Sequence, residues 1–207
     1  MHHVKSVVVI CLTLFSLSCA TTAKQTAHGW TTLFDGAGLD QWEQVEGGEW
    51  SIEEGALIGR NGVNWSTNPE ETGSYLRTKK AYGDFELSLE YAINQRGNSG
   101  VFFRCAKEKN PAFTGYEMQI TDAHGRDVNE KNSGLYDVVG ISKNVIKPTG
   151  EWNHAIIRAF GQQISITLNG EQVVTHTGDR RLVGHIGLQN HDEHSMVKFR
   201  NVKIREL

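Results

Sequence analysis

Beyond residue 19 the chain carries one cysteine, Cys105, so no internal disulfide can brace the body of the protein. Cys105 alternates with Val101 and Phe103, which predicts a buried structural thiol and not a nucleophile. Proline is scarce at three residues while glycine reaches 22, a balance that excludes a fibrous or low-complexity chain and favours many short turns in an ordered domain. No helical periodicity reaches three turns, although a short helical turn within a loop is compatible with the pattern. There is no basic excess: the net charge is −3, which gives no reason to expect nucleic acid or an anionic surface as partner. The histidine spacings contain no zinc signature, and no calcium-loop motif occurs.

The one long apolar run is N-terminal. Lys5 precedes Val7 to Leu17, and the small residues Ser18, Cys19 and Ala20 follow. This is the pattern of a secretory signal, too short for a membrane span. Ser18 before Cys19 resembles a bacterial lipobox, with Ser16 a poor residue at its first position; cleavage after Ala20 or Ala23 is the alternative, giving a soluble periplasmic protein. The lipobox is preferred, which divides the chain into a signal over residues 1–19, a tether over 20–28 and one domain over 29–207. The expected location is outside the bacterial inner membrane, as a periplasmic or outer-membrane lipoprotein that meets membrane only through its N-terminal anchor. The domain is long enough to bury about 70% of its unfolded surface.

From Gly29 onward nearly every periodic segment has period two. Trp50 to Ile52 and Ala56 to Gly59, joined by Glu53-Glu54-Gly55, read as a hairpin. Leu39 to Trp42 reads as a short strand, and Arg60 to Gly73 as a polar loop. Asp84 to Asn94 is the clearest strand, with Phe85, Leu87, Leu89, Tyr91 and Ile93 on one face. Asn98 to Cys105, a segment from Tyr116, and Ser133 to Val139 follow. A meander closes the chain, its Asn169-Gly170 pair a strong hairpin signal. In Ser195 to Leu207 the apolar phase switches from Val197 and Phe199 to Val202 and Ile204, which predicts a bulge near Arg200-Asn201. About a dozen strands at short spacing predict an all-β, two-sheet antiparallel sandwich.

The candidate site starts from Gly115 to Asp122. Tyr116, Met118 and Ile120 fall on one face, and Glu117, Gln119 and Thr121 on the other. An acid and an amide side by side suggest the floor of a binding groove. Polar-face residues of other strands are Glu86, Ser88 and Glu90, then Arg104, then Gln189 and His191, the last two placed by Ile186 and Leu188 turning inward. The catalytic candidates are Glu117, His191 and Glu90. Arg104, Gln119, Gln189, Asn98 and Trp65 are candidates for substrate contact, though Arg104 can equally pair with Glu90 or Glu117. Trp65 can stack on a sugar ring or pack locally. A divalent cation held by Glu117, Gln119 and His191 is a further option. His124 and His194 read as loop histidines.

Several motifs occur together in order: Phe34-Asp35-Gly36 with Leu39 and Trp42, Asn98-Ser99-Gly100-Val101 with Arg104, Gly115-Tyr116-Glu117-Met118-Gln119, Gly150-Glu151-Trp152-Asn153, Leu168-Asn169-Gly170, Gly187-Leu188-Gln189-Asn190-His191, and the ending Phe199 to Leu207. Over residues 30–207 the chain resembles the 3-keto-disaccharide hydrolase family of bacterial secreted proteins. The resemblance implies a concanavalin-A-like, glucanase-like jelly roll acting on 3-keto-glycosides, with a carbohydrate as partner. The C3 carbonyl of such a sugar acidifies its C2 proton, so elimination and hydration need a base, an oxyanion stabiliser and a proton donor. Glu117 or His191 would be the base, Arg104, Gln119 or a cation the stabiliser, and Glu90 a further acid. Glu117-x-Gln119-x-x-Asp122 also resembles the Glu-x-Asp-x-x-Glu strand of laminarinase-like glucanases. Here, however, the middle acid is an amide. Five strand residues also span roughly 16 Å, against the carboxyl separation of about 5 Å that retaining hydrolysis needs. A non-catalytic, lectin-like carbohydrate-binding domain and a direct glucan hydrolase are the competing expectations.

Overall fold

The structure is a computed structural model that describes residues 29–63 and 65–207; the signal and tether expected over residues 1–28 lie outside the described residues. In chain order the strands are β1 (Thr31–Phe34), β2 (Trp42–Val45), β3 (Glu49–Glu53), β4 (Ala56–Arg60), β5 (Tyr75–Thr78), β6 (Phe85–Ile93), β7 (Asn98–Cys105), β8 (Tyr116–Thr121), β9 (Gly134–Leu135), β10 (Asn153–Phe160), β11 (Gln163–Leu168), β12 (Glu171–Thr177), β13 (His185–Gln189) and β14 (Val197–Glu206). A single helical turn, α1 (Pro111–Thr114), precedes β8. The strands pair antiparallel in two sheets. The larger runs β12-β11-β10-β6-β14-β4-β3, with β1 also on β14; the smaller runs β2-β5-β13-β7-β8-β9. This is the all-β sandwich that the alternation predicts.

Local chemistry sets the turns. Asn169 and Gly170 both take positive φ, 51° and 88°, the mirror-image turn whose twist matches a two-residue hairpin, and they join β11 to β12. Glu54 and Gly55 do the same between β3 and β4, at 51° and 76°. The inward faces then meet. Phe85, Leu87, Leu89, Tyr91 and Ile93 of β6 share one core with Val101, Phe103, Met118, Ile120, Ile186 and Leu188 of the smaller sheet. Burying each such side chain contributes about 1.5–3 kcal/mol.

The register shifts at four places among the described strands, and two of these shifts bear on the site. The one in β14 falls where the phase change predicts it: the register shifts between Arg200 and Lys203, and Asn201 has φ 53°. The second was invisible to periodicity. Arg104 has φ 53°, and the pairing of β7 with β13 slips there. Beyond it, Cys105 does not share the core face of Val101 and Phe103; it joins Phe102, Tyr75 and Ala112 in a separate apolar cluster. Its thiol is fully buried, with Sγ 3.3 Å from the His185 carbonyl, and burial pushes its pKa up to about 12, so it is the inert structural cysteine expected. Ser133 to Val139 forms a strand only at Gly134–Leu135. The strand expected at Leu39 to Trp42 instead begins at Trp42 and runs to Val45. Pro111 opens α1 after the capping Asn110, whose side chain accepts from the Ala112 amide at 3.1 Å.

Candidate active site

The outer face of the smaller sheet carries an open cleft of about 240 Å³. β8 supplies its floor with Glu117 and Gln119, β7 contributes Asn98, and β13 with the turn after it contributes Gln189 and His191. Two connections wall it. The loop after β4 brings Trp65, Ser66 and Thr67, and the α1 segment brings Asn110, Ala112 and Phe113, with Tyr136 beside them. The walls are tied to each other and to the floor: the Asn110 side-chain amide donates to the Ser66 carbonyl at 3.0 Å, and the Tyr136 backbone amide donates to the Glu117 carbonyl at 3.0 Å. Trp65 is fixed by its indole N–H, which donates to the Asn190 carbonyl at 2.9 Å, and by packing on Phe102 with ring centroids 5.3 Å apart.

Glu117 is the unusual group. It is 3% exposed, and its Oε1 is enclosed without a hydrogen-bond partner. Burial alone raises its pKa to about 8, because the charged form loses its water and gains nothing in return. The chain makes room for it at Gly100, which lies opposite Gln119 in the β7–β8 register. A Cβ at Gly100 would stand 2.0 Å from Glu117 Oε1. Asn98 Oδ1 and Gln189 Oε1 are likewise enclosed and unpartnered. Each such atom costs about 1–3 kcal/mol, a cost that a ligand carrying hydroxyl donors would remove.

His191 is held differently. Its Nδ1 lies 2.7 Å from Asp192 Oδ2, and its ring stacks on Trp65 with the planes 6° apart and centroids 6.2 Å apart. Burial pushes the Asp192 carboxyl up, but the bonds from His191, Ser195 and the His194 backbone outweigh it and hold Asp192 below the usual carboxylate range.

Six of the eight residues singled out from sequence meet in this cleft: Trp65, Asn98, Glu117, Gln119, Gln189 and His191. Two do not. Glu90 is on β6 in the other sheet, whose outer face points the opposite way. There it is bonded by Arg200 at 2.6 Å and Asn201 at 2.8 Å; burial pushes its carboxyl up, but these bonds hold it below the usual range. Arg104 is redirected by the β7 bulge. It is 1% exposed, and its guanidinium donates to the carbonyls of Gly83 at 3.1 Å and Gly161 at 2.6 Å and to Asp84 at 2.9 Å. It therefore pairs with neither Glu90 nor Glu117. Asp122 is also spent elsewhere, accepting from Thr149 at 2.6 Å and the Arg96 amide at 3.1 Å.

The cation option does not fit these residues. The Gln119 amide is engaged at both ends, with the Lys131 carbonyl at 3.1 Å and the Ile120 amide at 3.1 Å. Among the described residues no three His, Cys, Asp or Glu side chains converge as a ligand set. Ser66, Thr67, Asn110, Phe113, Tyr136 and Asp192 join the site without having been anticipated. Asn110-Pro111 is the one local signal that could have flagged a wall element, since a capping Asn before Pro marks a helix start.

Residues 29–205 match the family model described as the 3-keto-alpha-glucoside-1,2-lyase-like domain. The chain is 26% identical to the 3-keto-disaccharide hydrolase of Bacteroides thetaiotaomicron, an alignment that covers 87% of this chain and 79% of that protein. Two solved structures from Parabacteroides distasonis, both carrying only a provisional glycosyl hydrolase designation, superpose with TM-scores of 0.73 and 0.70 at 24% and 29% identity. They cover 91% and 86% of this chain, and 98% and 99% of their own. A lichenase from a mouse hindgut metagenome shares the fold at a TM-score of 0.57 and 12% identity, over 86% of this chain and 98% of that one, which places the sandwich among the concanavalin-A-like jelly rolls. The chain belongs to the 3-keto-alpha-glucoside-1,2-lyase-like family.

Proposed function

We propose that the protein is a hydrolase of glycosidic bonds that cleaves 3-keto-glycosides, 3-keto-disaccharides among them, in the cleft above β8 by proton abstraction, elimination and hydration. The family and the name of the Bacteroides thetaiotaomicron relative support the substrate class. The observation that carries the chemistry is the buried, unpartnered Glu117 carboxyl sharing one cleft with the His191–Asp192 pair.

Two titratable groups in contrasting environments divide the acid and base roles. With its pKa raised to about 8, Glu117 is mainly a neutral acid at pH 7. His191 has Nδ1 turned to a carboxylate, which leaves Nε2 as the base. His191 takes the C2 proton of the keto sugar. The C2–H electrons form a C1=C2 double bond as the C1–O bond breaks, and Glu117 gives its proton to the departing oxygen. Water then adds to the enone. The Glu117 carboxylate takes a proton from that water as its oxygen bonds C1, and the imidazolium returns a proton to C2. Both groups end as they began. Asn98 and Gln189 offer their free oxygens to sugar hydroxyls, and Trp65 gives the ring an apolar wall.

Direct hydrolysis of unoxidised glucans finds less support. Glu117 is the one carboxylate among the described residues lining the cleft, and a two-carboxylate mechanism has no second member here. Export and a lipid anchor at Cys19 belong to the same proposal; mass spectrometry of the mature N-terminus tests them. For the activity, a chromogenic glucoside and its 3-keto form are each incubated with the protein. Release of aglycone from the keto form alone is expected. Release from both would point to a direct glycosidase, and release from neither to a binding domain.

A further inference from the structure

We infer that Asp192 is a positioning residue, which fixes His191 in the tautomer protonated at Nδ1 and so keeps Nε2 free to act as the base; the inference rests on the reading of the cleft given above. The carboxylate of Asp192 is itself held at both oxygens. Oδ1 accepts from the backbone amides of His194 and Ser195, each at 2.8 Å, and this leaves Oδ2 to face His191 Nδ1 at 2.7 Å. A neutral imidazole has one N–H to give, and a carboxylate at that distance claims it. The ring cannot turn away easily. Trp65 lies parallel to its face, and Trp65 is anchored to the carbonyl of Asn190, one residue earlier. The Asp192 carbonyl in turn accepts from the Gly62 amide at 3.2 Å, which ties the loop bearing Trp65 to the turn bearing His191. Gly62 is what permits that approach, since a Cβ there would meet the Asn190 carbonyl oxygen at 2.1 Å.

A purely structural Asp192, needed only for its turn, makes a different prediction, and one substitution separates the two. In Asp192→Asn the amide oxygen can keep both backbone bonds. Its NH₂ then occupies the place of Oδ2 and donates to Nδ1, so the imidazole proton moves to Nε2 and the base is lost. The turn survives while the tautomer inverts. We expect kcat on a 3-keto-glycoside to fall by about 10²-fold or more, with KM and binding of the free 3-keto sugar within about twofold of wild type. Nitrogen-15 spectra of ring-labelled protein should show His191 protonated at Nδ1 in wild type and at Nε2 in the variant. A variant that keeps kcat within about twofold, or that still carries its proton at Nδ1, overturns the inference. The spectra need no turnover, so they decide the tautomer even if the wild type proves inactive on 3-keto-glycosides, an outcome that would count against the functional reading alone.

Discussion

The two outer faces of the sandwich carry hollows of similar size, about 240 Å³ on the smaller sheet and about 220 Å³ on the larger, and each is lined by at least one acid, at least one amide and a histidine. They differ in where their polar atoms go. On the larger sheet Glu90 is saturated by Arg200 and Asn201, and Ser88 Oγ meets His154 Nε2 at 3.0 Å. None of the residues lining that hollow has an enclosed side-chain atom without a partner. On the smaller sheet three do: Asn98, Glu117 and Gln189. Polar content on an outer face is ordinary, whereas enclosed polar atoms left unpartnered cost stability and so mark a surface shaped for something other than folding.

That contrast can be broken by experiment, the largest expected effect first. Glu117→Gln should lower turnover of a 3-keto-glycoside by about 10²–10⁴-fold, the range a positioned acid contributes, while the fold persists by circular dichroism. Full activity in this variant would remove Glu117 from the chemistry. The same residue should tilt the wild-type stability curve. Native Glu117 keeps its proton up to about pH 8, while the unfolded chain releases it near the ordinary glutamate value. The native state therefore binds more protons across this window, and stability falls as pH rises from about 4.5 to 8, by an amount on the order of a few kcal/mol. Denaturant titrations at several pH values should show that slope in wild type and its loss in Glu117→Gln, which should be the more stable protein at pH 8. Next, Gly100→Ala should cost about 10²-fold in kcat/KM, because its methyl displaces the Glu117 carboxyl. Normal kinetics there would mean that the carboxyl does not need its place over Gly100. Smallest is Glu90→Gln, expected to leave turnover within about twofold and to lower stability by about 1 kcal/mol through its weakened bonds to Arg200 and Asn201. A large kinetic loss in Glu90→Gln would erase the distinction between the faces.

Much of this was readable from residue order, because burial in a sandwich follows alternation. The faces of β6 and β8, the inward Ile186 and Leu188 that turn Gln189 and His191 to the opposite face, the Asn169-Gly170 turn and the bulge at Arg200-Asn201 are all local patterns. What escaped were facts about neighbours. Glu90 and Glu117 have the same alternating signature, yet β6 and β8 lie in different sheets, and period two cannot assign a strand to a sheet. Arg104 was misplaced because a single positive φ reverses every facing after it. The walls supplied by Asn110, Phe113 and Tyr136 come from irregular connections whose docking depends on long-range contacts. Asp192 sits next to His191 in sequence, but its role rests on backbone bonds to His194 and Ser195 that only the folded turn reveals.

The central claim is that Glu117 waits in the cleft as a neutral acid, and its carboxyl can be titrated directly. Carbon-13 spectra of glutamate-labelled protein, with the Glu117 signal assigned by its absence in Glu117→Gln, should show a midpoint near 8. A midpoint near the ordinary glutamate value, about 4.5, would contradict the account.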